Sequence, residues 1–145
     1  MARGFTINIK GLKETIAKLD REGEEIKKQI DFAIGINSEA MASEAKNRVP
    51  VDTGRLKNSI TASKMKPYLY EVVAQTNYAA YVEFGTGTGF VPPENPEWSK
   101  LASQFKGAGL KQVNLLPRPY MRPSILAYYP KFKEEAIKII RSKKK

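Results

Sequence analysis

The sequence predicts an α+β fold, because segments with the period of a strand and segments with the period of a helix occupy separate parts of the chain. Residues 5–9 alternate apolar and polar side chains, and residues 61–75 are rich in aromatic and β-branched residues, as strands are. Apolar residues recur every three or four positions over 12–48 and again over 123–140, which is the spacing of amphipathic helices. A chain of 145 residues is of ordinary length for one domain, so we expect a single domain over 1–145.

The composition excludes several kinds of chemistry. The chain has no cysteine and no histidine, so disulfides, thiolate nucleophiles, cysteine-ligated zinc and imidazole bases are ruled out. We expect no enzymatic activity, no cofactor and no metal. No apolar run approaches the length of about 20 residues that spans a bilayer, and the N-terminus lacks the apolar core of a signal peptide. We therefore expect a protein made in a reducing cytoplasm, without membrane contact.

The N-terminal third is predicted to be a strand followed by a long helix. The strand, in which Phe5, Ile7 and Ile9 share one face, ends at Gly11. The helix runs from residue 12 to 48, where a following proline stops it; its apolar positions are Leu12, Ile16, Leu19, Ile26, Ile30, Ile34 or Ala33, Met41 and Ala45. Gly23 and Gly35 are points where it could bend. Two partners remain open for its apolar stripe, a neighbouring subunit or the chain's own sheet.

The middle of the chain is predicted to hold a short helix, a hairpin and a second short helix. Asp52 or Thr53 is expected to cap a helix that reaches Ile60, because either side chain accepts bonds from free backbone N–H groups. Residues 61–66 and 69–75 are predicted to pair as a hairpin around Lys66-Pro67. Residues 79–84 form a short apolar segment, predicted to be one or two helical turns.

Residues 90–116 are predicted to be a long loop insertion, because they lack periodicity and contain several prolines and glycines. Trp98, Leu101 and Phe105 have helical spacing, so a short helix within the loop is expected. We expect this loop to be mobile before assembly and to supply an interface anchored by Trp98. In the closing helix, Pro123 suits the first turn and Pro130 is expected to kink or interrupt it.

Three segments resemble the tail-component family of long-tailed bacteriophages, whose type member is the tenth gene product of a lambdoid coliphage. The first motif is residues 48–60 (RVPVDTGRLKNSI), the second is residues 78–86 (YAAYVEFGT), and the third is residues 118–124 (RPYMRPS). The order of the three motifs between a long helix and a closing helix makes the resemblance specific. It extends over about residues 5–140 and departs at the 90–116 insertion and at the basic tail, residues 141–145.

The resemblance implies a twisted antiparallel sheet with the long helix packed on it. It also implies a structural virion protein, a neck or tail-completion subunit made in the host cytoplasm and assembled as a ring at the head-tail joint. The expected partners are further copies of the chain, the head-completion (stopper) protein and the tail-terminator or tail-tube protein. The implied role involves no catalysis.

The motif residues also have interpretations of their own. Asp52, Thr53, Gly54 and Arg55 are predicted to form a structural turn, with Arg55 pairing with Asp52 or Glu83. Gly85 begins a glycine-rich stretch that lacks the lysine of a phosphate-binding loop, so the Glu83-Phe84-Gly85 segment is predicted to be structural, with Phe84 in the core. Arg118, Tyr120 and Arg122 combine cations with an aromatic, as interfaces do. For Tyr120, subunit contact and burial in its own core remain equal alternatives.

The net charge of +10 suggests a second function. Half of this excess lies in residues 131–145, and a basic tail beside DNA would bind phosphates without sequence preference. The alternative function is therefore sequence-independent DNA binding, through non-specific contact with DNA in the channel. A hydrolase is a third hypothesis, which rests only on the acidic residues and the glycine-rich stretch.

Overall fold

The computed structural model describes residues 5–7, 23–86, 90, 92–104 and 115–142, and its fold class is α+β, as predicted. The elements in chain order are β1 (Phe5–Ile7), α1 (Glu24–Arg48), α2 (Arg55–Ser59), β2 (Ile60–Lys66), β3 (Leu69–Ala74), α3 (Ala79–Phe84), α4 (Pro96–Ser103) and α5 (Met121–Ser142). Four predicted features lie outside the described residues: Ile9, the helix before Gly23, Phe105 and the lysines at 143–145.

The sheet has the order β1-β3-β2 with both pairings antiparallel, so β3 is its central strand. The predicted hairpin of β2 and β3 is confirmed. Its turn contains Tyr68, which adopts a positive φ of 62°, a conformation that costs a non-glycine residue free energy. The Tyr68 N–H donates to Asp31 Oδ1 at 2.9 Å, and the Lys64 ammonium pairs with the same carboxylate. Asp31 of α1 thus fixes the turn against the helix.

Helix α1 lies across the chain's own sheet and against α5. Its buried apolar residues join two clusters: Met41, Ala42 and Ala45 in the first, and Ile26, Ile30, Ala33 and Ile34 in the second. Of the two partners considered for this stripe, the subunit itself supplies the contact. The described helix begins immediately after Gly23 and continues through Gly35, where an added Cβ would lie 3.0 Å from the Tyr70 ring. The absence of a side chain at Gly35 therefore leaves room for the Tyr70 ring to pack against α1.

Pro130 was predicted to kink or interrupt α5, and the interruption is wrong because the helix continues through this residue. A proline inside a helix removes one hydrogen bond and costs about 3 kcal/mol. Contacts beyond Pro130 offset this loss, because Phe132 and Ala136 are buried in the second cluster against α1. The Asn37 side chain adds a polar link, donating to Glu135 Oε2 at 2.9 Å.

The beginning of α2 differs from the prediction. The N-cap is Gly54, with a φ of 79°, and neither Asp52 nor Thr53 takes that position. Thr53 Oγ1 accepts a long bond of 3.4 Å from the Arg55 N–H. The turn is structural, but it depends on the positive φ of a glycine rather than on a side-chain cap.

The two other short helices occur where they were predicted. Helix α3 ends at Phe84 and is followed by Gly85, whose φ is 77°. Helix α4 contains Trp98 and Leu101 and begins at Asn95, whose side chain accepts from the backbone N–H groups of Glu97 and Trp98. In the described part of the chain, no helix is both long and apolar enough to cross a membrane.

Candidate functional site: a clasp and a groove built from three motifs

The second and third motifs are joined by one buried carboxylate. Glu83 of α3 is 2% exposed. Its Oε2 accepts from the N–H groups of Tyr120 at 2.8 Å and Met121 at 2.9 Å, and its Oε1 accepts from that of Arg122 at 3.0 Å. These donors lie at Tyr120, immediately before α5, and at its first two residues, where N–H groups have no partner within the helix. Glu83 therefore accepts the free N–H groups at the beginning of α5, and its carboxylate lies at the positive end of the helix dipole.

Two further bonds complete this junction, which we call the motif clasp (Ala79, Val82, Glu83 and residues 118–122). The Tyr120 hydroxyl donates to the Ala79 carbonyl at 3.0 Å, and the Arg118 N–H donates to the Val82 carbonyl at 2.7 Å. Tyr120 is fully buried in the first cluster, so it belongs to the subunit's own core and not to its surface. The predicted pairing of Arg55 with Glu83 is replaced by these backbone donors.

Burial has the largest effect on the pKa values of Glu83 and Tyr120 in the clasp. Removal from water disfavours the charged carboxylate and raises the pKa of Glu83, while the three backbone N–H donors and the nearby Arg122 oppose this shift. Burial, together with the Glu83 charge, also raises the pKa of Tyr120. The tyrosine consequently remains a neutral hydrogen-bond donor.

The clasp continues into an extended segment before the third motif. The Thr86 N–H donates to the Leu115 carbonyl at 2.9 Å, and the Leu115 N–H donates to Thr86 Oγ1 at 3.1 Å. The chain from 115 to 119 is thereby held beside the end of α3. This arrangement brings Leu115 and Leu116 close to the turn of the first motif.

A groove of about 620 Å³ lies where the three motifs meet, and we call it the motif groove. The first motif contributes residues 50–56, the second contributes Tyr78 and Val82, and the third contributes Arg118. Leu115 and Leu116 complete the wall. Residues far apart in the chain therefore build one surface.

The rim of the motif groove includes several large apolar side chains that are open to solvent. Leu116 is 74% exposed and Val51 is 63% exposed, with Tyr78 and Leu115 also among the exposed large side chains. Charges border this apolar area, since Asp52, Arg55 and Arg118 are exposed as well. Large apolar side chains exposed together beside charged residues are typical of a protein-binding site. Its chemistry suits contact with another protein.

The other predicted interface residues lie elsewhere. Trp98 and Leu101 of α4 are half-buried against the first cluster, and Ala102 of the same helix is fully buried. This helix is thus attached to the core, although Trp98 also lines a second groove with Glu94 and Leu126. Phe105 lies outside the described residues. The predicted burial of Phe84 is confirmed, at 2% exposure.

Sequence reasoning missed both the clasp and the apolar rim. Glu83 follows Ala79 by four positions and Ala80 by three, and both alanines are buried, so its helical spacing places the carboxylate on a buried face. That signal was available in the sequence. Its partners, 37 to 39 positions away, carry no sequence signal because they are backbone groups. Within the described ranges, no group of three or more acidic side chains could hold a metal ion.

Residues 13–85 match the model of the HK97-gp10-like family, described as "Bacteriophage HK97-gp10, putative tail-component". This range contains the first and second motifs, and the third motif lies beyond it. Neither the curated proteins nor the solved structures yield a match to the chain.

Proposed function

The chain belongs to the HK97-gp10-like family of bacteriophage tail components, and from this premise we propose that it is a neck or tail-completion subunit. It is a structural protein of the phage tail and acts together with other virion proteins. The finer role we propose is assembly as a ring at the joint between head and tail. This ring completes the tail so that the filled head can bind to it.

The observation that supports this role most directly is the motif groove. Tyrosine and other large apolar side chains that are exposed beside arginine are common where one protein binds another. Here the first motif supplies Val51, the second supplies Tyr78, and Leu115 and Leu116 lie just before the third motif. These exposed side chains suit a subunit that binds other chains in a larger assembly.

The proposed partners follow from the position at the joint. A ring subunit contacts further copies of itself on both sides, the head-completion protein above and the tail-terminator or tail-tube protein below. Ring formation requires heterologous interfaces, in which two different patches of the subunit meet. The groove is one such patch.

The proposal is tested by placing a nonsense codon early in the gene of the phage or prophage that encodes this chain. Electron microscopy of the lysate is expected to show DNA-filled heads and tails of normal length that remain separate. Supplying the wild-type gene from a plasmid should restore joined particles. Normal particles without the protein would refute the role, and so would tails of abnormal length, because these would indicate a function in tail-tube assembly.

Sequence-independent DNA binding is the alternative suggested by the net charge of +10. No arrangement among the described residues favours it. Lys64 pairs with Asp31, Arg48 pairs with Glu44 at 2.8 Å, and the Lys131 ammonium lies 4.5 Å from the centre of the Tyr128 ring. We therefore base no proposal on the charge.

A further inference from the structure

The turn between β2 and β3 has a conformation that its own sequence disfavours. Its two central residues are Pro67 and Tyr68, which lie between the paired residues Lys66 and Leu69. The proline ring fixes a negative φ, and Tyr68 has a φ of 62°. A negative φ followed by a positive one is the pattern of a type II turn, which ordinarily has glycine or asparagine as its second central residue. With tyrosine there, the local preference is the type I turn, in which both φ angles are negative.

The two turn types differ by the rotation of one peptide unit, the one that joins Pro67 to Tyr68. Half a revolution of this unit converts a type II turn into a type I turn, because it changes ψ of the first central residue and φ of the second. The same rotation reverses the direction of the Tyr68 N–H. A group that accepts a hydrogen bond from this N–H therefore selects the turn type.

Asp31 of α1 is the acceptor. Its Oδ1 accepts from the Tyr68 N–H at 2.9 Å, and its Oδ2 pairs with the Lys64 ammonium of β2. The Asp31 side chain is only 19% exposed, so the carboxylate lies between the helix and the hairpin and not free in water. Hydrogen bonds to an ionised acceptor are among the stronger ones in proteins. This bond offsets the cost that a positive φ imposes on tyrosine, and a type I turn would lose it.

The surroundings of the turn leave space for the peptide rotation. Lys66 and Pro67 are exposed. Tyr68 is partly buried at the edge of the second cluster, beside a small cavity of about 20 Å³ that is also lined by Asn37 and Phe132. The Tyr68 ring is thus not closely packed on every side. The contact with Asp31, more than the packing of the ring, distinguishes the two turn types.

From these observations we propose that the hairpin turn is a two-state element: the bond from the Tyr68 N–H to Asp31 selects the type II turn, and loss of that bond returns the turn to type I. Because φ of Tyr68 changes sign, its side chain also changes direction relative to the second cluster. A contact that moves α1 or engages the Asp31 carboxylate would then change the hairpin tip at the same time, by shifting the populations of two conformations. This inference does not depend on the proposed function.

Nuclear magnetic resonance of the full-length chain distinguishes the two turns. In a type II turn the Tyr68 N–H lies beside the Pro67 Hα and gives a strong nuclear Overhauser effect, which we expect in the wild type. In Asp31→Ala the effect should become about tenfold weaker, because the type I turn points the N–H away from that proton. Alanine favours the helix, so the variant should fold. The control is Glu39→Ala, which removes an exposed carboxylate of α1 and should leave the effect unchanged.

Two further variants separate the hydrogen bond from its alternatives. Asp31→Asn retains a side-chain oxygen for the Tyr68 N–H and loses the ion pair with Lys64, so the strong effect should be retained. The double variant Asp31→Ala/Tyr68→Gly should also give the strong effect, because glycine adopts a positive φ without steric cost.

Three results would overturn the proposal. A weak effect in the wild type would mean that the type II turn is not the conformation of the free subunit. An undiminished effect in Asp31→Ala would mean that packing of the Tyr68 ring determines the turn without the carboxylate. Equal losses in Asp31→Ala and Asp31→Asn would mean that the ion pair with Lys64, and not the bond to the N–H, selects the turn type.

Discussion

The motif clasp and the motif groove share Val82 and Arg118, yet their other residues differ in burial and polarity. In the clasp, Glu83 and Tyr120 are buried and each polar group named there has a partner. In the groove, Val51 and Leu116 are apolar and left in water. Membership of a motif therefore does not tell which role a residue has. The buried members stabilise the subunit, and the exposed members remain available for binding.

The largest effect on stability is expected for Glu83→Ala. The substitution leaves three backbone N–H groups without their acceptor, and each unsatisfied buried donor costs about 1 to 3 kcal/mol. We expect the free energy of unfolding in urea to fall by roughly 4 kcal/mol. The control is Glu44→Ala, which removes a partly exposed pair with Arg48 and should cost below about 1 kcal/mol. Equal effects would show that the clasp does not hold the fold together.

The pH dependence of stability sharpens this prediction. Burial raises the folded-state pKa of Glu83 above the ordinary value of 4.5, so the folded protein holds this proton more tightly than the unfolded chain. As pH rises from 4.5 through the folded-state pKa, the contribution of Glu83 to stability therefore decreases. Subtracting the unfolding free energies of Glu83→Gln from those of the wild type isolates this contribution. A difference that increases with pH would mean that the N–H donors outweigh burial.

An intermediate effect is expected for Trp98→Ala, at the border between core and surface. The sequence alone suggests a mobile loop whose tryptophan matters only in assembly. The structure packs Trp98 half-buried against the first cluster, so truncation should cost about 2 kcal/mol, less than for a fully buried aromatic side chain. Trp98→Phe should retain most of that stability. Unchanged urea midpoints for both variants would assign Trp98 to an interface instead.

The smallest effect on stability is expected for Leu116→Asp in the groove rim. Its side chain is 74% exposed, so the unfolding free energy should change by no more than about 0.5 kcal/mol. The number of joined particles should nevertheless drop roughly tenfold or more, because a carboxylate would be buried in an apolar contact. Leu126→Asp, at a comparably exposed position of α5, is the control for a general surface effect. Full infectivity of the Leu116→Asp variant would show that the groove is not needed for assembly.

The secondary structure was largely predictable from the sequence, because local patterns determine it. The hairpin, the end of α1 before Pro50 and the short helix α3 occur as predicted. Errors arose where tertiary contacts override local preference. Packing on α1 carries α5 through Pro130, and a positive φ at Gly54 replaces the expected side-chain cap.

The site was less predictable than the fold. The groove depends on Val51, Leu115 and Leu116, which are ordinary apolar residues in the sequence and become informative only once their exposure is known. The clasp depends on backbone donors, and these are the same in every residue but proline. The sequence could indicate that the three motifs are important. Which of their residues are buried and which are exposed can be known only from the fold.

The most direct test of this account is a cryo-microscopy reconstruction of the head-tail joint in intact particles. The central claim is that the motif groove is a binding surface covered in the assembled joint. We expect a ring of densities at the joint that fit this fold, with Val51 and Leu116 of each copy in contact with a neighbouring chain. A joint without this chain, or a ring in which Val51 and Leu116 face solvent, would contradict the account.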